Sequence, residues 1–463
     1  MIKPMSNKIK SIKKKFNKTL WTDNFEKLKP HLYEQRGNIQ GKSSLLMLPK
    51  NTEDVVKIVK FCNKNKISIV PQGGRTGLCG GTIPNKNGQE ILLSTESMDK
   101  VIEVSKDGFY MIVQAGCSLS LIKKIAIENN RYFPLSLPSE GSCTIGGNIS
   151  TNAGGASVLK YGMTKELVEG IEVVLPNGEI LNSIKNIEKD NRSFDLKYLH
   201  IGSEGTLGII TKVKIRLFPE IKKKVMAIIA TNTINNLIKF LNITKNECYE
   251  YFSAFEINTN IGLNLINKFY NNIPIPFDNQ YSWYAIVELF SYDNVNLEKK
   301  ISSVISQSIK NQIIFDAIIP QNLKQYNNIW KTRELLSEAQ KLNGKSIKHD
   351  ISIPIEKIPL FLKKAKEALT DFRHNNILIF GHLAEGNLHY NISKPETMSI
   401  SVFNKLHKKV NSNIFNLVHN LGGSFSAEHG IGLIKKKEFK KYTSKEEFIK
   451  YTTKEEFIIK YKL

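Results

Sequence analysis

In the first half of the chain, hydrophobic positions fall in short blocks separated by glycines and polar turns. Leu45–Leu48 and Ile67–Val70 read as strands on either side of a helix over Thr52–Asn63, where Val55, Val56, Ile58 and Val59 recur at helical spacing. Pro49 precedes this helix and Thr52 is its expected N-cap. Short strands are predicted at Ile91–Ser94, Val101–Val104 and Tyr110–Ala115, followed by a helix at Leu119–Asn129. Val168–Leu181 reads as a hairpin turning at Pro176-Asn177-Gly178, and Ile209–Leu217 as another strand. Beyond Pro219 the glycines thin out and amphipathic elements take over. These are strands at Val225–Ala230 and Tyr284–Phe290, with helices near Ile234–Leu241, Gly262–Tyr270 and Leu297–Asn311. The interleaving predicts an α+β chain with a domain boundary near Pro219. A length of 463 residues allows two or three domains.

Three glycine-rich stretches interrupt this pattern. Pro71–Gly81, PQGGRTGLCGG, follows a strand and carries five glycines. Glycine permits positive φ and close backbone approach, so successive N–H groups can turn onto one anion. A mobile surface turn is the plain alternative, but such glycine density directly after a buried strand favours a pyrophosphate loop. The nucleotide G-x-x-x-x-G-K-[ST] pattern is absent, and GNIQGKS at Gly37–Ser43 is one residue short between its glycines. No helix is predicted to open after the glycines, which removes the Rossmann fingerprint and leaves the loop's own backbone to hold the phosphates. Pro138–Gly155 is expected to be a long loop without secondary structure of its own. Ile201–Thr211 leads into the strand at Ile209.

Composition narrows the classes. Hydrophobic residues make up 41% of the chain, and no apolar run approaches the ~18 residues of a membrane span. The five cysteines are scattered without a C-x-x-C pair, which argues for a reducing compartment and against a disulfide framework or thiolate zinc site. The net charge of +23 comes almost wholly from lysine, with only seven arginines. Together with abundant Ile and Asn, this reads as the codon bias of an AT-rich genome rather than a nucleic-acid footprint. The segment before Asp23 has no acidic residue and no signal-peptide core. It is expected to be a solvated basic tail, with a surface anchor or a transit-like segment as alternatives. Near the end, YTSKEEF at Tyr442–Phe448 repeats as YTTKEEF at Tyr451–Phe457 and reads as a solvated helix or frayed tail.

Candidate chemistry gathers late in the chain. His382 and His389 flank a turn at Glu385-Gly386-Asn387, so a hairpin would bring the imidazoles together, and Glu428-His429 lies in a second glycine-flanked loop. This donor set suits a zinc-like divalent metal with an open position, or a general base if one imidazole is not a ligand. Two ordinary polar turns are the plain alternative. Arg333, a rare arginine, and Lys348 are candidate carboxylate partners.

PQGGRTGLCGG, EGSCTIGGNISTNAGG, IGSEGTLGIIT, GHLAEGNLHYN and SAEHGIG, in this order, resemble the FAD-linked D-2-hydroxyacid dehydrogenases of the vanillyl-alcohol-oxidase-type FAD fold, from about Ser43 to about Lys437. The resemblance implies an FAD-binding domain over 41–220 and a substrate (cap) domain with an antiparallel sheet and the metal-site loops over 221–437. Flanking these are a basic segment over 1–40 and a Lys/Glu-rich tail over 438–463. It implies cofactor contacts from Gln72, Gly73, Gly74, Arg75, Thr76 and Gly77 at the pyrophosphate. Ser142, Thr144, Gly146, Gly147, Asn148, Thr151, Asn152 and Gly154 would line the flavin, and Glu204, Gly205 and Ile209 would lie near the adenosine half. His382, His389 and Glu428 match the metal ligands, zinc being expected, and His429 matches the base. Arg333, Ser337, Lys348 and Asn391 match the substrate-binding positions. Gln72–Leu78 contains no histidine, so FAD is expected to be non-covalent.

The implied reaction oxidises a D-2-hydroxyacid, D-2-hydroxyglutarate first, to the 2-oxo acid with hydride transfer to flavin N5. D-lactate or glycolate dehydrogenase is the alternative within the family. Electrons would pass to an electron-transfer flavoprotein, a quinone or a cytochrome. The implied location is cytoplasmic in a bacterium, with peripheral membrane contact or a homodimer both open, and the mitochondrial matrix in a eukaryote. After the EHG motif the family pattern leads one to expect a D-P-x-G-I-L-N-P-type segment, where this chain has its K-E-E-F duplication. An inactive flavoprotein or a basic surface-binding protein is the alternative of another class.

Overall fold

The computed structural model describes residues 5–444 except positions 38, 188, 275, 371 and 373–375. The chain divides into two units. One is drawn from Met1–Gly155, Tyr161–Glu220 and Glu428–Leu463, the other from Ala156–Lys160 and Ile221–Ala427. From position 445 onward the Y-T-x-K-E-E-F duplication lies outside the described residues. Among the described residues no helix is long and apolar enough to cross a membrane.

The first unit holds two principal sheets. In the four-stranded one, Ser68–Gln72 and Leu46–Met47 both pair in parallel with Glu90–Ser94, and Trp21–Thr22 adds an antiparallel edge. Leu46–Met47 and Ser68–Gln72 flank Glu90–Ser94, and the helix Thr52–Lys64 connects these two outer parallel strands. Val55, Ile58, Val59 and Cys62 form its buried face. Asn51, not Thr52, is the N-cap, its side chain accepting from the Asp54 N–H at 2.9 Å. Thr52 is drawn one position inward because its hydroxyl donates to Glu172, a buried carboxylate that also accepts from Thr211 and Lys212. The other sheet is antiparallel, in the order Val101–Val104, Tyr110–Gln114, Ile209–Arg216, Val168–Val174 and Ile180–Asn182.

Two expectations are corrected here. The N-terminal segment is a helix, Met5–Lys15, rather than a solvated tail. Ile12 is 0% exposed and, with Phe16, packs into the core formed by Leu45, Val55, Ile58 and Leu93. Burying such side chains outweighs the solvation preference of the lysines on the helix's other faces. The stretch Pro138–Gly155 also contains a short helix, Ile145–Ser150, with Ile145 and Ile149 buried one turn apart. A side chain at Gly146 would collide with Ala115, so glycine lets this helix lie against that strand end.

The second unit is built on a seven-stranded antiparallel sheet. Its order is Asp316–Ile318, Lys223–Thr231, Trp283–Ser291, Phe252–Thr259, Ile377–His382, Asn387–Ser393 and Ser346–Ser352. One face is closed by apolar helices. Phe240 of Ile234–Cys248 packs on Phe255, Phe361 of Ile358–Ala368 on Tyr390, and Phe415 of Ile400–Asn420 on His349. The opposite face packs Met226, Ile228, Tyr284 and Ile286 against Leu263 and Ile329 from the helices Asn260–Phe269 and Leu323–Glu334. Along the rest of that face the strands carry charge instead.

Candidate active site

In the first unit a cleft opens beside the strand end Pro71-Gln72. No helix follows PQGGRTGLCGG. The chain runs through bends and turns to Glu90, with Arg75 and Gly80 both at positive φ. The expected cofactor residues Gln72, Gly73, Gly77, Gly146, Gly147, Thr151, Glu204, Gly205 and Ile209 line this cleft, and so does His429. Cβ atoms at Gly73 and Gly74 would overlap Thr144 Oγ1 and the Ser142 carbonyl, whereas one at Gly77 would meet nothing within 4 Å. The loop is thus pressed against the second glycine stretch on one side and open on the other. Gly74 N–H donates to Thr144 Oγ1 at 3.2 Å, which ties the two stretches together.

The remaining expected cofactor residues do not line the cleft. Arg75 is paired with Glu96, the Asn148 amide reaches Cys143 Sγ, and Asn152 caps the Lys165 N–H. Thr76, Ser142, Thr144 and Gly154 are likewise outside the lining. Although Glu204 lines the cleft, its carboxylate also accepts from the N–H groups of Ile431 and Gly432 at 2.7 and 2.8 Å. It therefore holds the turn just after His429. Cys79 grips the same turn, its carbonyl accepting from Leu433 N–H at 2.8 Å. Glu428 accepts from Gly155 N–H at 3.4 Å. All five cysteines are buried, and none forms a disulfide among the described residues.

In the second unit the strand register decides which side chains share a face. Lys348 lies opposite Asn391, Asp350 opposite His389, His389 opposite Phe380, and Glu256 opposite His382. Directly opposed residues point the same way, as do residues two apart along a strand, so these side chains share one side of the sheet. The expected hairpin forms, with Leu383–Glu385 as its single-turn link, and the rings of His382 and His389 stand 5.9 Å apart between centroids. A nitrogen of His389 lies within 4.8 Å of one on His382 and of an Asp350 carboxylate oxygen. Ala427 N–H donates to the Asp350 carbonyl at 3.3 Å.

Arg333 extends from Leu323–Glu334 over the ring of Phe380, 4.8 Å from its centroid, and its Nε donates to Glu256 Oε2 at 2.7 Å. Neither Nη finds a protein acceptor among the described residues. Glu256 Oε1 accepts from His382 Nδ1. Burial alone would raise the Glu256 carboxyl, but the neighbouring His382 and Arg333 outweigh it and hold the group below the usual carboxylate range. Glu385 in the link lacks that compensation, and burial pushes its carboxyl up to about 7 against the pull of His382. Ser337 is exposed on the helix Leu336–Leu342. Asn391 is 2% exposed, its amide donating to Gln340 and its carbonyl accepting from His349 N–H. Sequence reasoning missed Glu256 and Asp350. The available signals were a carboxylate inside the apolar run FSAFEINT, and alternation from Lys348 to Asp350 along one strand.

Two family models match the chain. Residues 43–183 match an FAD binding domain, and residues 221–451 match the C-terminal domain of FAD linked oxidases. The D-2-hydroxyglutarate dehydrogenase, mitochondrial, of Danio rerio is 35% identical over 406 residues, covering 88% of this chain and 74% of its own. The D-2-hydroxyglutarate dehydrogenase of Stutzerimonas stutzeri is 32% identical over 401 residues, covering 85% and 83%. The chain belongs to the FAD-linked D-2-hydroxyacid dehydrogenase family. These are flavin-dependent oxidoreductases acting on a CH–OH group. The fold alone is shared with p-cresol methylhydroxylase, at a TM-score of 0.75 and 13% identity over 98% of this chain and 95% of that one. This places the dehydrogenase in the vanillyl-alcohol-oxidase type of FAD fold.

The residues present fit the groups that this family implies. Gly73, Gly146 and Gly208 hold the backbone of the cleft where a Cβ would not fit, which suits a group that lies close against main-chain N–H donors. Within the second unit the imidazole nitrogens of His382 and His389 come within 4.8 Å of each other, and paired imidazoles of this kind suit a zinc-class ion.

Proposed function

We propose that this chain oxidises a D-2-hydroxyacid to the 2-oxo acid, with D-2-hydroxyglutarate as its first substrate. The reading is carried by the charged side of the second unit's sheet, where a partly buried arginine with an open Nη edge accompanies two histidines and a lysine. The names of the relatives from Danio rerio and Stutzerimonas stutzeri support the choice of acid. A 2-hydroxydiacid has two carboxylates and one hydroxyl. Arg333 suits one carboxylate, because a planar guanidinium edge gives two parallel hydrogen bonds. Lys348 takes the other, a role that lactate or glycolate would not use. Ser337 and Asn391 complete the substrate set. His429, which lines the cleft, accepts the 2-hydroxyl proton. When bound, FAD supplies a two-electron acceptor, and a divalent cation on His382, His389 and Glu428 supplies a Lewis acid for the hydroxyl oxygen.

The test is anaerobic bleaching of the flavin absorbance by D-2-hydroxyglutarate, D-lactate and glycolate. D-2-hydroxyglutarate should bleach at the lowest concentration. Bound FAD that none of the three reduces would end the dehydrogenase reading, and preferred bleaching by D-lactate would move the substrate. His429→Ala should retain FAD and bleach at least ~10²-fold more slowly. Loss of flavin in that variant would remove His429 from the role of base.

A further inference from the structure

Glu256 lies in the middle of Phe252–Thr259, a strand buried along its whole length, and is itself 2% exposed. A lone carboxylate there would be strongly disfavoured by desolvation. The strand keeps it because each oxygen has a cationic or N–H partner. Oε1 accepts from His382 Nδ1, and Oε2 from Arg333 Nε at 2.7 Å. His382 is its directly opposed residue on the next strand, and Arg333 reaches it from the helix Leu323–Glu334.

We propose that Glu256 is a positioning residue that sets the tautomer of His382 and the reach of Arg333 together. One buried carboxylate thereby aligns the imidazole nitrogen offered to a divalent cation with the guanidinium edge offered to the substrate carboxylate. The inference rests on the roles proposed above for His382 and Arg333. An imidazole that donates from Nδ1 to a carboxylate carries its lone pair on Nε2, which makes Nε2 the ligating atom. An arginine that donates through Nε to Oε2 has its planar group fixed in rotation, with the Nη pair as the outer edge. Phe380 under the guanidinium limits the remaining tilt.

The geometry makes Glu256→Gln informative. A glutamine can keep the arginine bond through its carbonyl, but its NH₂ then faces His382 Nδ1 and favours the opposite tautomer. In full-length, FAD-loaded protein, E256Q should bind Zn²⁺ about 10–100-fold more weakly by chelator competition. FAD content should be unchanged, and E256D, which restores two acceptor oxygens, should recover part of the affinity. Zn²⁺ affinity within twofold of wild type in a folded E256Q would overturn the proposal. Should E256Q fail to fold, ¹⁵N-histidine spectra of metal-free wild-type protein decide. With His382 assigned by its loss in H382N, a proton on Nδ1 supports the proposal and a proton on Nε2 overturns it. Wild-type protein that takes up no divalent cation overturns the metal reading and this inference with it. Wild-type uptake with an indifferent E256Q removes only the role of Glu256.

Discussion

In the first unit, glycine, serine and threonine line much of a cleft, and main-chain N–H groups take part in the contacts that shape it. In the second unit, the corresponding surface is a regular sheet whose charged side chains are held in register by cross-strand pairing. On the proposed function, the difference follows from what each surface would have to meet. A pyrophosphate accepts N–H groups from any backbone that can come close enough, so the requirement falls on the absence of Cβ atoms. A hydroxyl and carboxylates need an imidazole and a guanidinium at set positions, so the requirement falls on side chains whose own partners lock them. Loop glycines serve the first purpose and a rigid sheet the second.

The largest expected effect probes how much the cofactor unit depends on its N-terminal helix. Ile12→Ala removes a fully buried side chain from the core around Val55 and Ile58, and should cost about 2–5 kcal/mol. On heating, release of FAD, followed by flavin fluorescence, should come several degrees earlier. An unchanged release temperature would mean that the helix is dispensable to the cofactor unit. A smaller effect is expected from Gly74→Ala. The new methyl meets the Ser142 carbonyl, and overpacking of this kind costs about 1–3 kcal/mol. FAD affinity should fall about tenfold, while Zn²⁺ affinity stays at the wild-type value. Loss of both together would break the division between a backbone cradle and a side-chain face.

The glycine stretches could be read from sequence because their chemistry is local. A run such as PQGGRTGLCGG states its own backbone requirement, and no helix follows it. The hairpin bearing His382 and His389 was legible for the same reason. Amphipathic signals diluted by lysine or glycine were not. Ile9, Ile12 and Phe16 recur at helical spacing, but the surrounding lysines gave the segment the look of a tail. Ile145 and Ile149 mark one helical turn inside a glycine-rich stretch that otherwise reads as loop. Glu256 was beyond reach for another reason. Its partner His382 is 126 residues away, and only the strand register brings the two face to face. Pairing at that separation is a property of the sheet order, which no local pattern contains.

Arg333→Ala tests the central claim most directly, namely that the substrate is chosen by the side-chain face of the second unit and not by the cofactor cleft. Anaerobic reduction of the flavin by D-2-hydroxyglutarate should require about 10²-fold more substrate, as expected for loss of a charged, largely desolvated anchor of ~2.7 kcal/mol. FAD content and absorbance should match wild type. Unchanged reduction, or loss of FAD along with it, would contradict the account.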